Sequence, residues 1–207
     1  MKHAQALVLH ATLAVVCVLA ATLVPASAQE APSLGEGSQG PLVVYYSRQG
    51  HARMLATALK NHLHADIEEI RSEKGRGIFT IICEQLFGLG DRQAAPEKDL
   101  TRYNPIIVVA PIYFMKLSAP ARTFIERSIP TGKDVYVFTT SGGPLAGFTK
   151  NGIRKLVEKR GLNAMGVHGF QIGKKTQADF DNETAAFLAR NPIGTPGAGT
   201  APAGEAP

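Results

Sequence analysis

Residues 41–56, Pro-Leu-Val-Val-Tyr-Tyr-Ser-Arg-Gln-Gly-His-Ala-Arg-Met-Leu-Ala, limit what this chain can become more than any other stretch. Leu42, Val43, Val44, Tyr45 and Tyr46 make an apolar run rich in β-branched and aromatic residues, which predicts a buried strand. Residues 47–50 are polar and end in glycine, so the chain turns there. From Ala52 onward come good helix formers, with Met54, Leu55, Ala58 and Leu59 able to share one face. A strand, a tight polar loop and a helix start aim unpaired backbone N–H groups at whatever lies above the strand end. Such a place suits a phosphate, although an ordinary strand-to-helix turn has the same outline. Ser47 adds a hydroxyl, Gln49 an amide, and Arg48 and His51 positive charge. No Gly-Lys-Ser/Thr closes the loop, and Gly50 is its single glycine, so it is neither a Walker loop nor Gly-x-Gly-x-x-Gly.

Taken in order, the remaining chain alternates strand and helix signals. A helix is expected at 52–63 and a half-wet strand near a sheet edge at 65–70. A charged loop follows at 71–76. Residues 77–89 carry a helical apolar face into which Cys83 packs, and 91–102 read as another loop. Residues 104–110 are the clearest buried strand, followed by a helix at 119–128 with Pro120 in its first turn. Next come a strand at 134–140, a helix at 148–160 stopped by Gly161, a strand around 167–172 and a helix at 177–190. Strands alternating with helices predict a parallel sheet covered on both faces, and no internal repeat is visible.

Both ends differ from this middle. Residues 1–28 hold Lys2 as their only charged residue, then a long apolar run, then Ala26-Ser27-Ala28. That is the layout of a Sec-type secretory signal peptide; the alternative is an uncleaved N-terminal membrane anchor. Cleavage would take the net charge from +5 to +4, because Lys2 alone is lost, and would leave Cys83 as the one cysteine. A single cysteine forms no internal disulfide and no cysteine metal site. Residues 29–40 and 191–207, rich in Gly, Pro, Ala and Ser, read as a linker and a disordered tail around one domain at 41–190. The basic residues are scattered, which gives nucleic-acid binding little support.

Three loops leave the carboxyl ends of the most apolar strands: 47–51, 111–118 and 141–147. In the second, Pro111 directly after the strand is expected to stop the ladder. Tyr113, Phe114 and Met115 then stand in a loop, where large apolar side chains either cover a flat ligand or pack on the protein's own helices. In the third, Gly142 and Gly143 let backbone N–H groups come close to a ligand edge.

Together YYSRQGHA, YNPIIVVAPIYFMKLSAPARTFIE and VYVFTTSGG resemble the flavodoxin family, in that order and over about residues 42–175. The resemblance implies a three-layer α/β sandwich with a five-stranded parallel sheet of order 2-1-3-4-5. It also implies non-covalent flavin mononucleotide (FMN). By position, Ser47, Arg48, Gln49, Gly50, His51 and Ala52 would hold its phosphate. Pro111, Ile112, Tyr113, Phe114 and Met115 would cover a ring face, with Tyr113 where many members have Trp. Thr140, Ser141, Gly142 and Gly143 would border the ring's polar edge. Gln49 and Ala52 depart from the family's hydroxyl residues in the first loop, and the chain has no Trp.

No residue reads as an obligatory acid, base, nucleophile or metal ligand. Glu68 and Glu69 are neighbours in a strand and point to opposite faces, and His62, His64 and His168 have no carboxylate or cysteine arrangement around them. A hydrolase is disfavoured because no Gly-x-Ser-x-Gly elbow occurs. The expected function is an exported, periplasmic or secreted FMN protein. It would pass electrons to a redox partner protein or a small-molecule acceptor, as in NAD(P)H and quinone chemistry. The alternative is a flavodoxin-like binding module without FMN. The family is typically acidic, whereas this chain is basic, which points to an acidic partner.

Overall fold

The sheet is built by period-two burial. A computed structural model describes residues 39–72 and 90–193; the segment at 1–28 and the helix expected at 77–89, as well as most of the linker and tail, lie outside them. Strand β1 (Leu42–Tyr45) pairs in parallel with β2 (Asp66–Glu69) on one side and β3 (Ile106–Tyr113) on the other. Beyond β3 follow β5 (Asp134–Ser141) and β6 (Asn163–Gln171), while the short β4 (Lys116–Leu117) pairs antiparallel with the end of β3. The order of the parallel strands, β2-β1-β3-β5-β6, is the expected 2-1-3-4-5 arrangement with the hairpin strand set aside.

Alternate residues serve two cores. Leu42, Val44, Ile106 and Val108 pack with helices α2 (Ala119–Arg127) and α3 (Gly147–Lys159). Val43, Tyr45, Ile107, Val109 and Phe138 pack with α1 (His51–Leu63) and α4 (Gln177–Arg190). Helices therefore lie on both faces, and the central strands are near-continuous apolar runs because both their faces are covered. Helix ends follow local chemistry. A capping box of Thr176 and Asp179 starts α4, and Lys60 and His62 stand in the last turn of α1, where the helix dipole favours positive charge.

Two expectations need correction. Pro111 does not stop the ladder: β3 runs through it to Tyr113, with Pro111 in register with Thr140. By that point β1 has ended at Tyr45, opposite Val109. On that side the Pro111 carbonyl accepts from the Ser118 N–H at 3.1 Å, so a residue without an N–H sits at an edge and not in a central ladder. The last strand starts at Asn163, ahead of the expected 167, because its first half lies on the sheet edge and alternates polar and exposed residues. There Asn163 Nδ2 donates to Asp134 Oδ1 at 2.8 Å.

Residues 91–102 form the expected loop, with a 3-10 turn at Leu100–Arg102, and side chains tie it down. Glu68 accepts the N–H groups of Glu97 (2.7 Å) and Lys98 (3.1 Å). Asp66 accepts from Tyr103 Oη at 2.5 Å and Lys98 Nζ at 3.2 Å, donors that hold its carboxyl below the usual carboxylate range. Glu69 points the other way, to Tyr45 and Arg53, as neighbouring strand residues must.

Candidate functional site

The first loop is shaped by one glycine. Gly50 caps α1 with φ 91°, a left-handed conformation in which a Cβ is strained. Its N–H donates to Ser47 Oγ at 3.1 Å, and its carbonyl accepts from Met54 N at 2.9 Å. Ser47 thus uses an acceptor lone pair within the loop and keeps its O–H as a donor. No acidic residue stands in the first turn of α1, so the positive end of the helix is uncompensated. His51 Nδ1 is buried and hydrogen-bonds to no protein atom. A buried polar atom without a partner calls for one.

The second segment is a hairpin, not an open loop. Tyr113 pairs with Lys116, leaving Phe114 and Met115 as the two turn residues, at φ 47° and 60°. Two positive φ values in a two-residue turn are the mark of a type I′ turn, which prefers Asn-Gly. Large apolar residues are costly there, and both are exposed, Phe114 at 61% and Met115 at 60%. The tip is held by Thr149 Oγ1, which donates to the Met115 carbonyl at 3.0 Å. The double substitution F114N/M115G should therefore stabilise the protein by about 1–2 kcal/mol. Urea unfolding checks this, and a loss of stability would show that the two side chains contribute more than their backbone strain.

The third loop follows β5. Thr140 is buried at the strand end, and Ser141 Oγ donates to the Gly143 carbonyl at 2.6 Å. No atom lies within 4 Å of where a Cβ would stand on Gly142 or Gly143, so both glycines face open space. Leu145 folds back onto β6, where Gly169 leaves it room: a Cβ there would lie 2.6 Å from Leu145 Cβ.

Ser47, Arg48, Gln49, His51 and Ala52 from the first loop meet Pro111, Tyr113 and Thr140 around one hollow of about 40 Å³. Ile172, just past the end of β6, completes it. The sequence reading missed Ile172, although its place at the carboxyl end of a strand was the available signal. Other expected members do not line this hollow. Ile112 packs against the core under α2 and α3. Phe114 and Met115 line a separate hollow, because adjacent strand and turn residues face opposite ways. Gly50, Ser141, Gly142 and Gly143 flank the hollow without lining it. Among the described residues, no three His, Cys, Asp or Glu side chains are grouped so as to hold a metal ion.

No protein-family model matches the chain, and no curated protein does. Solved structures do. A candidate flavoprotein from Bacteroides uniformis superposes with a TM-score of 0.61 at 18% identity, over 72% of this chain and 99% of that one. Another from Bacteroides eggerthii gives 0.56 at 18% identity, over 73% and 96%. A flavoprotein from Lactobacillus acidophilus, in complex with FMN, gives 0.52 at 17% identity, over 63% and 92%. The fold is flavodoxin-like.

In a flavodoxin-like sheet the point where strand order reverses lies between β1 and β3, and a ligand sits outside the carboxyl ends of those strands. The hollow described above is there. Its donors fit a phosphate: the Ser47 hydroxyl, the orphaned His51 Nδ1, the Arg48 guanidinium and an α1 start without acidic residues. Its size is that of a small group and lies well under the roughly 300 Å³ at which sites for whole drug-sized ligands begin.

Proposed function

We propose that this protein binds FMN at the carboxyl ends of β1, β3 and β5 and transfers electrons through it outside the cytoplasm. One observation carries the reading: Ser47 and His51 from the β1–α1 connection, Tyr113 at the end of β3 and Thr140 near the end of β5 line a single cleft at the switch point of a flavodoxin-like sheet. FMN, when bound, supplies the one- and two-electron chemistry. The chain supplies the rest. Ser47, Arg48, Gln49 and His51 receive the phosphate, Tyr113 covers an apolar ring, and Thr140, Gly142 and Gly143 offer polar groups and space at its edge. The basic chain suits an acidic redox partner, whose association weakens as salt rises. The signal-like residues 1–28 support export, in which case FMN is acquired after the chain has crossed the membrane.

An absorption spectrum of the purified protein, followed by titration with FMN, tests this. Flavin bands that shift on binding, with a one-to-one endpoint, support it; absence of bands and of binding at high micromolar FMN overturns it. The phosphate assignment has its own check. His51→Ala should weaken FMN about tenfold, the worth of a hydrogen bond to a charged group, and leave riboflavin unchanged because riboflavin has no phosphate. Equal losses for both would remove His51 from the phosphate site. A second reading, a flavodoxin-like module that binds no flavin, is favoured by Ala52, which puts a methyl where the family has a hydroxyl. The same titration separates the two.

A further inference from the structure

We propose that the outer edge of β6 is a docking site for an extended acidic peptide segment of a partner protein, which joins the sheet as a further strand. β6 ends the strand order, and among the described residues no strand pairs with its outer side. The Ile172 N–H donates back to the Ser141 carbonyl at 2.8 Å. Backbone groups alternate sides along a strand, so those of Val167, Gly169 and Gln171 point outward, where they meet no partner among the described residues. The two edges of the sheet differ in how they are guarded. β2 is four residues long and carries three carboxylates, Asp66, Glu68 and Glu69, which discourage pairing. In β6 a register shift at Met165 interrupts the first half. The second half, Val167 to Gln171, pairs regularly with β5 and contains no Lys, Arg, Asp, Glu or Pro. Such an edge is a template for another strand.

A trench follows this edge. One hollow of about 380 Å³ is lined by all five residues 167–171. Their side chains alternate between the two faces, so a hollow that touches every one of them runs along the backbone edge. Gly169, exposed in the middle of the stretch, has no side chain to keep another backbone away. Charge selects the occupant. Lys150 of α3 and Arg190 of α4, from helices on opposite faces of the sheet, both line the trench. Neither pairs with a carboxylate among the described residues. Glu183, the one carboxylate in the lining, is taken by Lys175 Nζ at 2.5 Å. The trench is therefore complementary to an extended segment that carries carboxylates, held by main-chain hydrogen bonds. The same two cations disfavour a second copy of β6, which would bring like charges together. The trench shares no lining residue with the loop cleft, so docking does not depend on flavin.

Fluorescence anisotropy with the purified full chain tests this. The probe is the fluorescein-labelled peptide Thr-Glu-Val-Glu-Val-Glu-Thr, and its counterpart has lysine in place of each glutamate. One acidic peptide is expected to bind per chain, at least about tenfold tighter than the basic one. N-methylation of alternate peptide amides should weaken binding at least about tenfold for one of the two alternating sets, the set that faces β6, and leave the other unchanged. Gln171→Pro removes an outward N–H without touching the pairing with β5, so it should abolish binding while the unfolding midpoint stays in place. Lys150→Glu combined with Arg190→Glu should reverse the preference between the two peptides. Equal affinity of the wild-type protein for both peptides overturns the proposal whatever the outcome of FMN titration. So does undiminished binding after N-methylation of either set, or a dimer of the free chain that Gln171→Pro disperses, which would give the edge to a second copy.

Discussion

Phe138→Ala is expected to destabilise the protein by about 3–5 kcal/mol, the range for removing a fully buried aromatic ring. Phe138 lies on β5, with strands on both sides, and has no solvent exposure. Its ring meets His168 at 5.2 Å, Phe187 at 5.4 Å and Phe170 at 5.9 Å between centroids, and it shares a core with Phe180 and α1. Truncation removes the ring's burial and leaves a void bounded by strands on both sides, which cannot close without shifting the sheet. Total stabilities of domains this size are about 5–15 kcal/mol, so a large share is at stake. Urea unfolding monitored by circular dichroism measures it. A change below about 1 kcal/mol would mean that the aromatic cluster between β5, β6 and α4 is not a packed core.

The second large effect is acid sensitivity through His168. Its ring sits in the same cluster, 4.6 Å from Phe187 between centroids, and borders a hollow that Lys150 of α3 and Glu183 and Arg190 of α4 also line. Burial, and secondarily the Lys150 charge, pull its pKa from 6.5 down to about 4. The folded protein therefore keeps the ring neutral where the unfolded chain protonates it. Stability from this residue is fully present above pH 6.5, falls as pH drops towards 4, and changes no further below that. Allowing for the ring's partial exposure, the loss should be roughly 2 kcal/mol. Unfolding midpoints at pH 7.5 and 4.5 measure it, and His168→Leu should flatten the difference. If that variant keeps the full pH slope, other groups carry it. Asp66, Asp99 and Asp179 have carboxyl pKa values held below 3.8 by hydrogen-bond donors, so they act at lower pH, as acid protonates them.

Much of this architecture is legible in the chain. Residues buried on both faces of a central strand must be apolar, so Leu42, Val43 and Val44 and the run Ile106, Ile107, Val108 and Val109 announce β1 and β3. Edge strands announce themselves less: β2 shows only an alternation, and the first half of β6, with Asn163 and Met165 exposed, shows little at all. Asp91, which is buried, looked like part of a polar loop. Its burial depends on Thr123, whose Oγ1 accepts the Asp91 N–H at 2.9 Å, and on Ser72, whose hydroxyl donates to its carboxylate at 3.1 Å, residues distant in sequence.

The candidate site divides along the same line. Among the described residues, the amino-acid sequence alone determined the order of the five parallel strands and four helices and the strand–loop–helix at 42–63, because burial periodicity and glycine placement are local properties. Only the tertiary structure decided which side chains enter the cleft. Where β1 ends fixes where β3 becomes an edge, and that edge lets residues 116–117 pair back upon it. The pairing turns Phe114 and Met115 away from Tyr113 and into a groove of their own, an outcome set by contacts between distant segments and not by any local pattern.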